Sequence, residues 1–397
     1  MGKDTIFHKE NNFLSMRGLV LSDRDLKAWL MFIRDRRWSR RQKRELLMYF
    51  DSVKTVYDHS GEQLKKVVSG RVRGGFEHFD QKALSSVVDK EFDWMMRHHV
   101  SLITYGSSCY PSLLNEIDDP PLALFAMGNI SLLSEPQVAI VGSRRPTPIG
   151  AKIARQISNQ LTGLGVIITS GMALGVDGLA HEGALDGASA TIAVMGCGLD
   201  QIYPARHRNL FGRIHSSGLI LSEYSIGVKP SKFTFPERNR IVSGLSLGVV
   251  IIEAAQKSGT LITARLAMEQ NREVMVLPGS ALSQQYEGSH ELIKNGAALI
   301  TSRDDILFVL KDTLGNIGVS EDNLYDSTQE KDSKSIEPVQ SEEEIKLMQL
   351  IGAEPVSVEE LIVSSGLPPA QVSSIILTLE LDEKVAMMED GGYISIN

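Results

Sequence analysis

From residue 137 to about residue 277, short apolar runs alternate with amphipathic stretches. Val138–Val141, Val166–Ile168, Thr191–Met195, Leu219–Leu221, Val249–Ile252 and Val274–Leu277 are compact and apolar. Runs of that length bounded by turn residues read as buried strands. Between them Ile149–Leu164, Asp177–Leu185 and Thr260–Gln270 carry apolar positions at helical spacing. Strands that alternate with helices in this way predict an α/β domain built on a mostly parallel, doubly wound sheet. Gly142, Gly171, Gly196 and Gly279 fall just after strands. The loops leaving the carboxyl ends are therefore Gly-rich, and open sheets of this kind bind ligands at that edge.

The flanks follow other periods. Residues 1 to about 16 form a loose start. Ser22 and Asp25 have the spacing of a capping box, and Leu26, Trp29, Leu30 and Ile33 continue at helical spacing. With Lys82–His98 they predict a small helical unit over residues 17–100. The sheet domain follows over 101–311, and a polar, acidic linker is expected over 312–340, where no apolar face repeats. Beyond it, Ser341/Glu344 and Ser357/Glu360 have capping-box spacing. Gly366 closes one helix, and Pro368–Pro369 open another through Ile375, Ile376 and Leu379. Val385–Met387 and Tyr393–Ile396 flank a hairpin turn. Three short helices followed by a hairpin make residues 341–397 a winged helix.

Charge changes the picture. The whole chain of 397 residues nets -8. The tail from Ser341 onward holds eleven Asp/Glu against Lys346 and Lys384, a net of -9, so the rest is close to neutral. Between Pro204 and Arg240 seven Lys/Arg face only Glu223 and Glu237. A local basic patch of that kind suits a polyanion, whatever the total charge. Arg34, Arg36, Arg37, Arg40, Arg41, Lys43 and Arg44 form a second basic run, which reads as a nucleic-acid contact or as a solvated helix face. Cys109 and Cys197 lack disulfide or metal-ligand spacing and read as structural cysteines of a reducing compartment. No secretory signal and no bilayer-length apolar run are found, so a cytoplasmic protein without a membrane partner is expected.

Phe233-Thr234-Phe235-Pro236-Glu237-Arg238-Asn239-Arg240-Ile241 places two rings beside two guanidinium groups. Rings stack on bases and Arg binds phosphate as a planar fork. Phe235, Arg238 and Arg240 are the binding candidates of this stretch, Phe233 is assigned to the core, and Glu237 to solvent or an ion pair. Three Gly-containing loops, at Val141–Arg145, Thr169–Asp177 and Ser258–Thr260, supply backbone N–H groups at helix starts, which suit anions. Gly-x-Gly-x-x-Gly is absent after the first strand, and no acid closes the second to hold a ribose, which counts against a dinucleotide oxidoreductase. The P-loop pattern is absent too. His181 follows Asp177 by four residues and reads as a packed His beside a capping Asp, or as an acid–base pair. Glu253 is a base, a hydroxyl holder or a loop cap. No nucleophile–base–orienter set emerges.

Together these residues resemble the DNA-processing protein A family, also called DprA or Smf. The carrying motifs are Ala139–Arg144, Ser170–Asp177 with Ala180-His181, Tyr203-Pro204, Ser222–Tyr224, Phe235–Ile241, Ser258–Ala264, Pro278-Gly279 and Leu292–Ala297. The resemblance implies a Rossmann-like domain between a sterile-alpha-motif-like (SAM-like) helical unit and a winged helix. It implies a non-catalytic protein without cofactor or metal that binds single-stranded DNA. It also implies a homodimer that loads RecA recombinase in natural transformation and helps displace single-strand-binding protein. Carried onto this chain, Arg144 holds phosphate beside Ser143, and Lys232, Arg238, Asn239 and Arg240 line the groove. Phe235 stacks on a base. Ser170, Gly171, Ser258, Gly259 and Thr260 supply donors, and Arg206 and Lys229 are outer contacts. Leu174 departs from the family pattern, in which many members have Arg.

A nucleotide-processing enzyme on the same kind of sheet is the rival reading. Lysine-decarboxylase-like phosphoribohydrolases resemble Pro-Gly-Gly-x-Gly-Thr-x-x-Glu at the third loop. Here Lys257-Ser258-Gly259-Thr260 lacks the trailing Glu. The recognition-helix region Gln371–Leu381 has no Lys or Arg, so the winged helix is expected to bind protein or to rest on the sheet domain.

Overall fold

In a computed structural model, residues 21–50, 52–59, 61–70, 81–187, 190–316, 342–352, 354–382, 384–388 and 391–396 are described. The expected loose start, and the linker from 317 onward, lie outside them. Helix α1 (Asp23–Arg34) starts at Ser22, whose hydroxyl accepts from the Asp25 N–H at 3.2 Å. Short helices α2 (Arg40–Tyr49), α3 (Val53–Asp58) and α4 (Gly61–Val67) follow, then the long α5 (Gln81–Arg97). Ser39 and Gln42 form a full capping box on α2.

A nine-stranded sheet follows. Its strands are β1 (Ser101–Thr104), β2 (Ala123–Gly128), β3 (Gln137–Gly142), β4 (Ile167–Ser170), β5 (Thr191–Met195), β6 (Leu219–Ser222), β7 (Gly248–Ile252), β8 (Glu273–Val276) and β9 (Ala298–Leu299). They lie in the order β1-β2-β6-β5-β4-β3-β7-β8-β9. From β6 to β9 every pairing is parallel. β1 and β2 extend that sheet antiparallel. The six central strands match the apolar runs of the sequence; β1, β2 and β9 were not expected.

The helices of this domain are α6 (Ser112–Asn115), α7 (Pro148–Thr162), α8 (Val176–Asp186), α9 (Arg208–Ser217), α10 (Thr234–Gly244), α11 (Thr260–Glu269), α12 (Glu287–Lys294) and α13 (Arg303–Asn316). Alternating side chains of each strand feed two cores, as a parallel sheet covered on both faces requires. On one face Ala139, Ile192 and Val249 pack with Ile241 and Val242 of α10 and Ala264 of α11. On the other Ile140, Ile168 and Val250 pack with Ile157 of α7, Ala180 of α8 and Leu310 of α13. α13 continues through Asn316, so the helix covers the start of the stretch expected to be linker.

The N-terminal helices do not stand apart. Leu26 and Leu30 of α1 and Val88 and Met95 of α5 share a core with Leu102, Phe125, Ile220 and Phe211. At the other end α14 (Glu342–Leu350), α15 (Val358–Ser365) and α16 (Pro369–Leu381) pack through Leu347, Leu361, Val372 and Leu379. The hairpin β10 (Val385–Met387) and β11 (Tyr393–Ser395) completes the winged helix. The Ser357/Glu360 capping box forms, and Gly366 takes a left-handed φ of 69° at the end of α15. The wing touches the sheet domain where Lys152 of α7 donates to the Ile396 carbonyl and Ser280 meets Glu354 at 3.4 Å. Among the described residues no single helix is long and apolar enough to cross a membrane.

His181 lies wholly inside, on α8. Thr191 donates its hydroxyl to the Ile168 carbonyl and so accepts from His181 Nδ1, at 2.8 Å. Nδ1 therefore carries the proton, and Nε2 is buried without a partner. Burial depresses its pKa from 6.5 to about 3. The unfolded chain then binds the extra proton in that window, so stability falls as pH drops from about 6.5 toward 3. A His181→Gln variant should lose this part of the acid limb, read as a flatter dependence of urea midpoint on pH between those values; an unchanged slope would refute the assignment.

Candidate nucleic-acid interface

β3 to β7 are parallel, so the loops after Gly142, Ser170, Met195, Ser222 and Ile252 meet at one edge. The first carries Ser143, Arg144 and Arg145. The Ser143 hydroxyl accepts from the Arg145 N–H at 3.1 Å, and its carbonyl accepts from the Val176 N–H at 3.0 Å. The second loop presses against it at Gly175, which has a φ of 79°. A Cβ there would lie 2.3 Å from the Ser143 carbonyl oxygen. Glycine is thus needed for conformation and for close approach. Arg144 and Arg145 stand exposed at the tip, and Arg144 has no hydrogen bond or ion pair among the described residues.

Phe233–Ile241 is not a loop. Phe233 is the N-cap of α10, and Pro236 sits in its first turn, where no intrahelical N–H is lost. The helix sends Arg238 inward. It is 4% exposed and donates to the carbonyls of Gly171, at 2.5 Å, and Val194. The Asp177 carboxylate accepts from the N–H groups of Gly171, at 3.1 Å, and Ala173, at 3.3 Å. Burial raises the Asp177 pKa, and the nearby Arg238 charge opposes that rise. Burial likewise pulls the Arg238 guanidinium down, and Asp177 opposes it. Arg240 is also buried, forked onto Glu223 at 2.7 and 2.9 Å and bonded to the Asp119 carbonyl at 2.8 Å. Arg238 and Arg240, expected to line a groove, are instead buried, because α10 turns both toward carbonyls and carboxylates.

Other expected donors are also spent. Ser170 is wholly buried and donates to the Ile140 carbonyl at 2.6 Å. The Gly171 N–H serves Asp177, and the Thr260 hydroxyl donates to the Gly142 carbonyl at 3.0 Å. Asn239 accepts from Arg238 Nε at 3.2 Å. Ser258, one residue before the N-cap of α11, accepts from the Thr260 N–H at 3.1 Å, and Gly259, the N-cap, is exposed. Glu253 is wholly buried and is a loop cap: it accepts from the Thr147 N–H at 2.9 Å, the Thr147 hydroxyl and the Tyr286 hydroxyl at 2.8 Å.

Exposed on this edge are rings and cations. Phe233, assigned to the core from sequence, is 73% exposed, with Lys232 Nζ 5.2 Å from its ring centre. Phe235 is half-buried and packs on Tyr203, centroids 5.3 Å apart and planes tilted by 31°. Tyr203 is 46% exposed. Arg206, Lys229, Lys232 and Lys257 are exposed. Sequence reasoning missed Tyr203, Phe233, Arg145 and Lys257 as candidates. The signal for Tyr203 was an aromatic in the basic segment; nothing short of the α10 register marks Phe233 as outward.

The loop carrying Lys229 and Lys232 is held by the N-terminal helices. Ile226 donates its N–H to Glu91 at 2.9 Å, and its carbonyl accepts from Arg34 at 3.0 Å. Arg40 pairs with Glu237 at 2.5 Å and Asp119 at 3.0 Å, and Arg44 with Asp119 at 2.6 Å. Lys43 is buried on the Ile33 carbonyl, and burial lowers its pKa to about 8. Three residues of that run, Arg34, Arg40 and Arg44, therefore tie the N-terminal helices to the sheet domain; Lys43 is buried within the helices, and Arg36 and Arg41 remain exposed.

A family model for DNA recombination-mediator protein A matches residues 101–311, and one for the DprA winged-helix domain matches 331–391. The chain is 37% identical over 322 residues to Protein Smf of Escherichia coli K12, covering 81% of this chain and 83% of that one. It is 47% identical over 199 residues to DNA processing protein DprA of Streptococcus pneumoniae R6, covering 50% and 70%. The X-ray structure of the S. pneumoniae DprA aligns with a TM-score of 0.59 at 34% identity, covering 73% of this chain and 98% of that one.

Removing Arg238 leaves the buried Gly171 and Val194 carbonyls without their donor and removes the charge that opposes the rise in the Asp177 pKa; a lost hydrogen bond to a charged group alone costs about 1.5–3 kcal/mol. Arg238→Ala should therefore lower the urea midpoint strongly, whereas Arg144→Ala, at an exposed and unpaired site, should leave it within the scatter of wild type. Equal midpoints for the two variants would show that Arg238 is no part of the framework.

Proposed function

The chain belongs to the DNA-processing protein A (DprA/Smf) family, and from that premise we propose that its carboxyl edge binds single-stranded DNA without reading sequence. One observation carries this: Tyr203, Phe233 and Phe235 form an exposed or half-exposed aromatic ledge among Arg144, Arg206, Lys229 and Lys232. Every base has a face to stack, and every phosphate a charge to pair, so rings interleaved with cations suit any single strand. Ser143 and the Ser258–Gly259 turn border the ledge and offer hydroxyl and backbone groups. Arg238, Asn239, Arg240, Ser170, Gly171 and Thr260 support it from below.

The role is binding and not catalysis. Two carboxylates at the edge that would serve an acid–base step, Asp177 and Glu253, are committed to backbone N–H and hydroxyl donors, and His181 is sealed inside. That arrangement favours the DNA-binding reading over a phosphoribohydrolase. Family resemblance alone supports the finer reading: a cytoplasmic homodimer that hands its strand to RecA recombinase, and so helps displace single-strand-binding protein, in natural transformation. The winged helix is assigned to protein contact, since α16 carries neither Lys nor Arg.

Binding of labelled oligothymidylate across a salt series tests the proposal. Arg144→Ala and Lys232→Ala should each make the log K against log salt slope shallower by about 0.7, one phosphate each. Phe233→Ala and Tyr203→Ala should lose about 1–3 kcal/mol at every salt concentration. Duplex of equal length should bind more weakly than the single strand. Equal duplex affinity, or full affinity in all four variants, would overturn the reading.

A further inference from the structure

A second basic surface begins where the edge ends. After Tyr203 the chain makes a 3₁₀ turn, Ala205–His207, seated on the second loop: His207 Nδ1 lies 3.2 Å from the Met172 carbonyl. α9 then runs from the carboxyl edge back toward the opposite edge, where Gly218 precedes β6. Between α9 and the end of α8 lies an open groove of about 500 Å³, lined by Leu185, Arg208, Asn209, Gly212, Arg213 and Ser216 among others. Its lining holds two guanidinium groups, and the one carboxylate paired with them, Asp186, lies beside it at the end of α8.

The cations are available. Arg206 and Arg208 are exposed and form no hydrogen bond or ion pair through their side chains among the described residues. Arg213 pairs only with Asp186, at 2.6 Å, and both are well exposed, a pairing that is weak in water. Gly212 is the other clue. It lies inside α9, where glycine costs about 0.5–1 kcal/mol relative to alanine, and a Cβ built there meets nothing within 4 Å. Neither φ nor packing within the chain requires it. A bare helix surface between two Arg side chains is what close approach of a ligand backbone needs.

Resting on the proposed function, we propose that this α8–α9 groove takes the phosphodiester backbone of single-stranded DNA as it leaves the aromatic ledge. Arg206 bridges ledge and groove, and Arg208 and Arg213 each hold a phosphate above Gly212. α9 is about 15 Å long at 1.5 Å per residue, enough for about four phosphates at the 3.4 Å spacing of a stacked strand. The groove has no aromatic lining among those residues, so it adds length and salt dependence to binding and no base stacking.

The test uses the full chain with a short oligothymidylate that spans only the ledge and a long one that also reaches the groove. Gly212→Glu places a carboxylate between the two Arg in open space and improves helix propensity, so it folds. It should weaken the long oligonucleotide and leave the short one unchanged. Arg208→Ala with Arg213→Ala should make the long-strand salt slope shallower by about 1.4, two phosphates, with the short-strand slope unaltered. Long-strand binding that matches wild type in Gly212→Glu overturns the groove while the ledge stands. Wild type that binds neither length overturns the ledge, and the groove with it. A duplex that loses as much as the long strand in Gly212→Glu overturns the single-strand assignment of the groove.

Discussion

The carboxyl edge is organised around one guanidinium. Arg238 reaches from α10 into the ends of β4 and β5 and bonds the carbonyls of Gly171 and Val194. Asp177, buried beside it, fixes the N–H groups of the same turn. A buried charge is tolerable only when paired and hydrogen-bonded. Each of these two is hydrogen-bonded to backbone groups of the strand ends and the second loop, and each charge offsets the burial of the other, so together they set the path of that loop. That loop meets Ser143 through Gly175, and so the exposed direction of Arg144 depends on a buried residue.

A second ionic set ties the helical N-terminus to the same edge. Arg40, Arg44 and Arg240 converge on Asp119, Glu223 and Glu237. Glu91 and Arg34 hold both polar groups of the Ile226 peptide. The loop that presents Lys229, Lys232 and Phe233 is consequently a clamped segment. This matters for binding, since a loop already ordered loses less conformational freedom when a strand arrives. It also redistributes charge: Arg34, Arg40, Arg44 and Arg240, which look free along the chain, are neutralised internally, while Arg144, Lys229 and Lys232 on the edge and Arg206 and Arg208 before and at the start of α9 stay exposed.

Much of this was legible from sequence, and the failures have physical causes. The six central strands announced themselves as short apolar runs because both faces of a parallel sheet are buried. The winged helix was marked by its capping box, its Gly366 and its hairpin. β1 and β2 carry no such contrast: β2 is a buried run, Ala123–Gly128, in a stretch without alternating helices. The hardest case was Phe233–Ile241. Residue types there announce rings and guanidinium groups but not a helix, and in the first turn of a helix proline is compatible with the fold. Once α10 is a helix, its facing decides everything. Arg238 and Arg240 go in, Phe233 goes out, and a residue-type argument assigns each to the wrong side. Hydroxyl groups fared no better, because Ser170 and Thr260 satisfy carbonyls of β3, at Ile140 and Gly142, that sequence does not show to be needy.

The division between buried and exposed Arg explains why this edge should distinguish a single strand from a duplex. Cations alone do not discriminate, since both polymers present phosphates, and the duplex presents more of them per unit length. Rings do discriminate. In a duplex each base face is covered by its neighbour, so stacking on Tyr203 or Phe233 would first require unstacking. In a single strand the faces are open, and each ring gains its contact at little cost. Spending Arg238 and Arg240 on the framework keeps the exposed charge modest, and the acidic winged helix lowers it further. On the proposed reading, affinity is thereby shifted from the term that duplex and single strand share to the term that only the single strand can use.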